Sequence, residues 1–279
     1  MRVNLKSLGT FNRIGIAGAT EAANALSMLT GRDTFVQTTR IHFGPVDRIE
    51  TKCGNGDRRM AIEFEGALDG SAMLLFDAES AEYVVSNLEG TGSDPDPSYL
   101  NEVANIMTSS FVDGWAENFD DTIDISPPTV LEDGQPLVPS RGGIDGSSFV
   151  FNSAITIDDT HRCEFYLIPE ARSFLETLQE QVRGDEEMAV GLDELTAFLR
   201  LTVAGADTVA EQLEALTGMD AEVQVSYLDF VPVEKVPHAI DDEQYLGTVF
   251  QFEGPMEGYL SVLFEADSAA EVASAMVPG

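Results

Sequence analysis

Apolar residues recur every three or four positions over three long stretches, about 4–30, 97–117 and 189–217, and alternate with polar ones in shorter runs between them. The first period predicts helices with one core-facing side, the second predicts half-buried strands. The first and third long helices end at Gly31 and Gly218, residues that commonly stop a helix. Strand-like runs follow the first helix at "TFVQTTRIHFG", "RMAIEFEGAL" and "SAMLLFD", and the third at "EVQVSYLDFVPV", "GTVFQFEG" and "YLSVLFE". Shorter helices close these sets near Ala78–Leu88 and Ala266–Met276.

The similarity of the two sets is a repeat. Laying Leu5–Val46 over Leu192–Val233, at a constant offset of 187, gives identity at 18 of 42 positions, with "AGA" and "LTG" shared in register. Further on, "FEGALDGSAMLLFDAESAEYV" resembles "FEGPMEGYLSVLFEADSAAEV". The middle of the chain reads as a more diverged copy: a helix over about 97–117, strands near 124–131, "SSFVFNSAITID" and "RCEFYLIP", and a helix over "EARSFLETLQEQV". Three helix–strands–helix units result, about 1–92, 93–183 and 189–279, with "RGDEEM" before the third. Alternating strands between helices predict an α+β fold, an antiparallel sheet flanked by helices. Gly15 and Gly18, inside the first helix, predict close helix approach rather than a phosphate loop, since no P-loop lysine accompanies them.

The middle helix carries the candidate chemistry. Leu100, Val103, Ala104, Met107 and Phe111 share one side; Ser98, Glu102, Asn105 and Ser109 share the other, at spacings of four, three and four. Asp96 followed by Pro97 predicts a capped start. Such a polar stripe commonly is a solvated face. It could also do one specific kind of work. An asparagine amide offers one acceptor and two donors and is neutral at every pH, so it can aim a water without taking its proton. That suits hydrolysis of an already reactive phosphoryl group, where positioning is most of the task. A glutamate one turn earlier can grip a partner's lysine or orient the same water. This helix has no nucleophile with a base, no phosphate cradle and no metal cluster, so metal and electrophile would come from the partner.

Composition narrows the partners. Among 279 residues there are 49 acidic and 15 basic, a net charge of −34, spread along the whole length. A surface like that repels itself in dilute buffer and tolerates high salt, as expected of a cytosolic protein of a salt-loving microbe. It repels nucleic-acid phosphates and anionic membranes. Cys53 and Cys163 are far apart and read as reduced thiols. His42, His161 and His238 lack metal-ligand spacing, and no cofactor of the chain's own is expected. No secretory signal opens the chain and no stretch approaches the ~20 apolar residues of a membrane span.

Ser98, Glu102, Asn105 and, after twenty-two intervening residues, Pro128 together resemble the signature of the CheC family, phosphatases of the chemotaxis response regulator CheY, shared by CheX and FliY. The segment "RIGIAGATEAANALSMLTG" is similar to that family's glycine- and alanine-rich first helix. The resemblance implies a pseudo-twofold CheC-like domain over 1–183, with 189–279 as a partial second one. It implies that Asn105 positions water for in-line attack on the regulator's aspartyl phosphate and that Glu102 pairs with a regulator lysine. Magnesium would belong to that partner. Ser98 would order the helix start or touch the partner, and Pro128 would shape the following strand. The matching positions in the first unit hold Arg13, Ile16 and Thr39, and in the third Arg200, Val203 and Ser226, so neither can aim a water. A non-catalytic adaptor of the same fold, binding the deamidase CheD or flagellar-motor components, is the alternative. The third unit, half a pseudo-twofold domain, implies a chain cut from a longer tandem protein or a half that pairs with another chain, as in a homodimer.

Met107 and Trp115 are expected to pack in the core, Asp120–Asp121 and Asp185–Glu187 to be solvated or to form a weak cation site, and 127–146 to be a turn-rich connection near the docking surface.

Overall fold

The structure is a computed structural model, and it describes residues 2–45, 57–89, 98–131, 147–181, 189–221, 227–231, 245–254 and 257–276. Elements run β1 (Arg2–Asn4), α1 (Leu5–Thr30), β2 (Thr34–Pro45), β3 (Arg58–Gly66), β4 (Gly70–Phe76), α2 (Ala78–Glu89), α3 (Ser98–Phe119), β5 (Ile123–Ile125) and β6 (Thr129–Val130). They continue with β7 (Ser147–Ile157), β8 (His161–Pro169), α4 (Ala171–Gln181), β9 (Ala189–Gly191), α5 (Leu192–Thr217), β10 (Leu228–Phe230), β11 (Tyr245–Phe252), β12 (Gly258–Glu265) and α6 (Ala266–Met276). The predicted α+β class holds. The chain forms two compact units, 1–199 with 227–231, and 200–226 with 232–279.

In the first unit the described strands other than β1 and β9 form an antiparallel sheet in the order β10-β2-β7-β8-β4-β3-β5, with β6 also on β3. The first two repeats meet at β4 and β8, where Leu74 lies opposite Phe165. Each repeat then donates a strand to the other: β2 of the first pairs with β7 of the second, and β5 and β6 of the second pair with β3 of the first. This exchange of strands about the β4–β8 pair is the pseudo-twofold expected of the domain.

Each helix starts and stops where its residues dictate. Asn4 caps α1 by accepting from the N–H groups of Lys6 and Ser7, and Gly31 ends it at φ 66°. Asp120, also at positive φ, ends α3, and its neighbour's N–H donates to the Ala116 carbonyl, so Asp120–Asp121 is a helix stop. The apolar stripes of α1 and α3 face each other over the sheet, and Trp115 sits among Phe11, Phe111, Phe119 and Phe151. Met107, Trp115 and Cys163 are buried, and burial pushes the Cys163 thiol up, leaving it neutral. Cys53 lies outside the described residues.

The two glycines of α1 do different jobs. A Cβ on Gly18 would stand 2.8 Å from the Phe111 carbonyl oxygen, so Gly18 is the point where α1 touches the α3 backbone. Gly15 instead faces Phe151 on β7 and Thr39 on β2, so it admits the sheet and not a helix. Gly18→Ala gains about 1 kcal/mol of helix propensity. The clash with backbone costs about 1–3 kcal/mol, so a net loss of stability is expected, read as a lower urea midpoint.

The third copy begins with a strand, β9, where a helix from residue 189 is expected; the helix starts at Leu192. β9 pairs with β1, with Val190 opposite Val3, and β10 pairs with β2, with Asp229 opposite His42. Both pairs are separated by 187, the repeat offset, so each strand lies antiparallel to its own counterpart. Asp229 and His42 also meet through their side chains. Of "EVQVSYLDFVPV" only Tyr227–Val231 is described, with the strand confined to Leu228–Phe230.

The second unit holds the rest of α5, the β11–β12 hairpin and α6. Among the described residues no helix is long and apolar enough to cross a membrane.

Candidate functional site

The sheet fixes α3, and α3 fixes the site. Leu100, Val103, Ala104, Met107 and Phe111 are all buried, which turns the opposite side of the helix to solvent. Glu102 and Asn105 are both exposed on that side, three residues apart, so their Cβ atoms are about 5–6 Å from each other. Ser98 is the first residue of the helix and exposed. Ser109 is half-buried, so the open part of the stripe ends near Asn105. Asp96 and Pro97, the expected helix start, lie outside the described residues.

Pro128 sits between β5 and β6, half-buried. The Ser126 N–H donates to the Glu63 carbonyl, the Ser126 hydroxyl accepts from the Glu63 N–H, and pairing with β3 resumes at Thr129 opposite Ala61. Between them the register shifts by one residue, Phe64 facing Ile125 but Met60 facing Val130. Pro127 and Pro128 occupy the gap, where a residue without an N–H breaks no ladder bond. Pro128 therefore sits in the gap between β5 and β6, while Glu102 and Asn105 share the helix face. Residues 132–146 of the turn-rich connection lie outside the described residues.

The corresponding positions of the other copies differ. Arg13 is exposed on α1 and donates to the Thr10 hydroxyl at 3.0 Å, and Ile16 is half-buried. Thr39 stands next to a register shift in β2, as Pro128 does in the β5–β6 edge, and meets Ser153 at 3.0 Å. Arg200 is exposed and Val203 half-buried on α5; Ser226 lies outside the described residues.

Asn101, one turn before Asn105, joins the site region without belonging to the four-three-four stripe. Its Oδ1 is buried and has no hydrogen-bond partner among the described residues. Its position on the border between the apolar and polar sides hides it from a periodicity reading.

Among the described residues no group of three His, Cys, Asp or Glu side chains could hold a metal. His161 stacks on Tyr83, whose hydroxyl donates to Asp158, while Arg32 pairs with Asp158 at 3.5 Å. That hydrogen bond to the Asp158 carboxylate raises the Tyr83 pKa. These contacts tie α2 to the β7–β8 turn. His238 and Asp185–Glu187 lie outside the described residues.

A profile of the CheC-like family matches residues 98–132, the span from the first residue of α3 through β6. CheC1 of the archaeon Halobacterium salinarum, whose name proposes it as a CheY-P phosphatase, is 31% identical over 185 residues, covering 62% of this chain and 95% of that one. The chain belongs to the CheC-like family. Two solved structures share its fold: FliY of Thermotoga maritima, at TM-score 0.50 and 21% identity over 63% of this chain and 98% of that one, and the FliM middle domain of H. pylori, at TM-score 0.50 and 12% identity over the same shares. These matches cover 62–63% of this chain and nearly the whole of each relative.

Proposed function

We propose that the protein hydrolyses the aspartyl phosphate of a CheY-like receiver domain, with Asn105 aiming the water and Glu102 holding the partner. The observation that carries this reading is the pair itself: a glutamate and an asparagine, both exposed on one face of a rigid helix, inside the segment that the CheC-like profile matches. The CheY-P phosphatase named for CheC1 of H. salinarum supports it.

The chemistry asks little of this chain. An acyl phosphate is already activated, and the receiver's own magnesium would neutralise charge on the phosphoryl oxygens. The Asn105 carbonyl would accept a hydrogen bond from the attacking water and fix it in line with the bond to be broken. As the water oxygen bonds to phosphorus, the P–O bond to the aspartate breaks, releasing inorganic phosphate and the free carboxylate. The water's protons pass to phosphate and solvent, so no side chain here has to act as a base. Glu102, one turn nearer the helix start, would meet a receiver lysine.

Arg13 and Ile16 in the first copy favour one working site, because an arginine would repel that lysine and an isoleucine cannot hold water. The same loss is what an adaptor for CheD would show, and the test separates the two. Decay of the phosphorylated cognate receiver is followed in multimolar salt against increasing protein. Glu102→Arg is expected to raise the half-saturating concentration by about 10-fold or more while largely preserving the maximal rate, as loss of a charge pair at a docking face does. Decay that the wild-type protein does not accelerate would favour the adaptor.

A further inference from the structure

Among the described residues, the third copy keeps the architecture of a half-domain core whose apolar face is exposed. Its hairpin has the register of the first: Phe252 faces Gly258 and Phe250 faces Leu260, as Phe64 faces Gly70 and Ile62 faces Ala72. In the first copy these residues are core, Ile62 and Ala72 each being 2% exposed; their counterparts Phe250 and Leu260 are 53% and 57% exposed. The helices repeat the contrast. Ile14 is 8% exposed and Ala22 fully buried, whereas Leu201 and Val209 are 70% and 59% exposed.

Gly205 sharpens this. Its counterpart Gly18 is where the α3 backbone touches α1, but among the described residues a Cβ on Gly205 would have nothing within 4 Å. A glycine in mid-helix costs about 1 kcal/mol relative to alanine. Its cost is offset where another backbone comes close, as it does at Gly18. Among the described residues, β12 pairs only with β11, so its other edge, the counterpart of the β4 edge that pairs with β8, is open.

We propose that this face is covered by the same face of a second copy of the chain, so that two third repeats build one further CheC-like domain about a twofold axis. The covered counterpart face meets another half-repeat, and the strand that closes it does so antiparallel, the arrangement a twofold produces when an edge meets itself. The repeat already pairs with its own copy in this way: Val190 lies opposite Val3 and Asp229 opposite His42. The buried face would be apolar, but the third repeat carries 17 acidic residues and two basic ones, so salt must screen the two copies for them to associate. A basic partner would show the opposite dependence.

The test is the mass of the full chain in solution by light scattering, over a range of concentrations in multimolar salt. Twice the chain mass is expected for the wild type. Gly205→Leu places a side chain where the second helix must approach, with room to spare in the monomer, and is expected to give the single mass with unchanged helical content. Ala204→Leu, at a position whose counterpart Ala17 is exposed, is expected to remain dimeric. A monomeric wild type, including one that assembles only with a different half-repeat protein, overturns the proposal, as does a dimeric Gly205→Leu.

Discussion

Asn105→Ala is expected to lower the maximal rate of receiver dephosphorylation by about 100-fold, the scale of losing a positioned reacting group. Stability should hold or rise slightly, because Asn105 is exposed on α3 and alanine has the better helix propensity by up to about 0.7 kcal/mol. The half-saturating concentration should change little, since the proposed function gives docking to Glu102. Asn105→Asp tests the chemistry more finely. It preserves shape but exchanges the donor amide for a carboxylate facing a developing phosphoryl charge, so it is expected to be as poor as alanine. The same logic explains Ile16: a first-copy helix that presents an alkyl group at the matching position can pack but cannot hold a water.

Trp115→Ala is expected to have the largest effect on stability, about 3–5 kcal/mol, because it empties the centre of an aromatic cluster. The indole ring lies 4.7 Å from Phe151, 5.7 Å from Phe11 and 6.0 Å from Phe119, centroid to centroid, and joins α1, α3 and β7. Urea unfolding is the measurement, and loss of cooperative unfolding would be the extreme form of the expected result. Trp115→Phe should cost much less. The indole Nε1 is buried with no hydrogen-bond partner among the described residues, so the smaller ring removes an unsatisfied donor while it leaves a gap, and the two effects oppose each other.

Local features of the sequence are legible in this fold. The long helices follow from apolar steps of three and four, and Gly31 and Gly218 end two of them at φ 66° and 70°. The site face is legible for the same reason: Leu100, Val103 and Met107 must be buried together, which leaves Glu102 and Asn105 outside. Periodicity does not specify which strand meets which. β2 is followed at once by β3 in its own repeat yet pairs with β7 of the next, because strand partners are chosen by closing a core and not by nearness in sequence. The pairing of β1 with β9 and of β10 with β2 is likewise a long-range event, and residues 189–191 read as the start of a helix until the strand opposite them is seen. Gly15 looks like Gly18 in sequence; only the ring of Phe151 beside it separates their roles.

The most direct measurement is the lifetime of the aspartyl phosphate on the cognate CheY-like receiver, at saturating protein in multimolar salt with magnesium present. Water positioning by Asn105 predicts a lifetime shortened by the wild-type chain and restored by Asn105→Ala to within a few-fold of the receiver alone. An Asn105→Ala variant as fast as the wild type would contradict it.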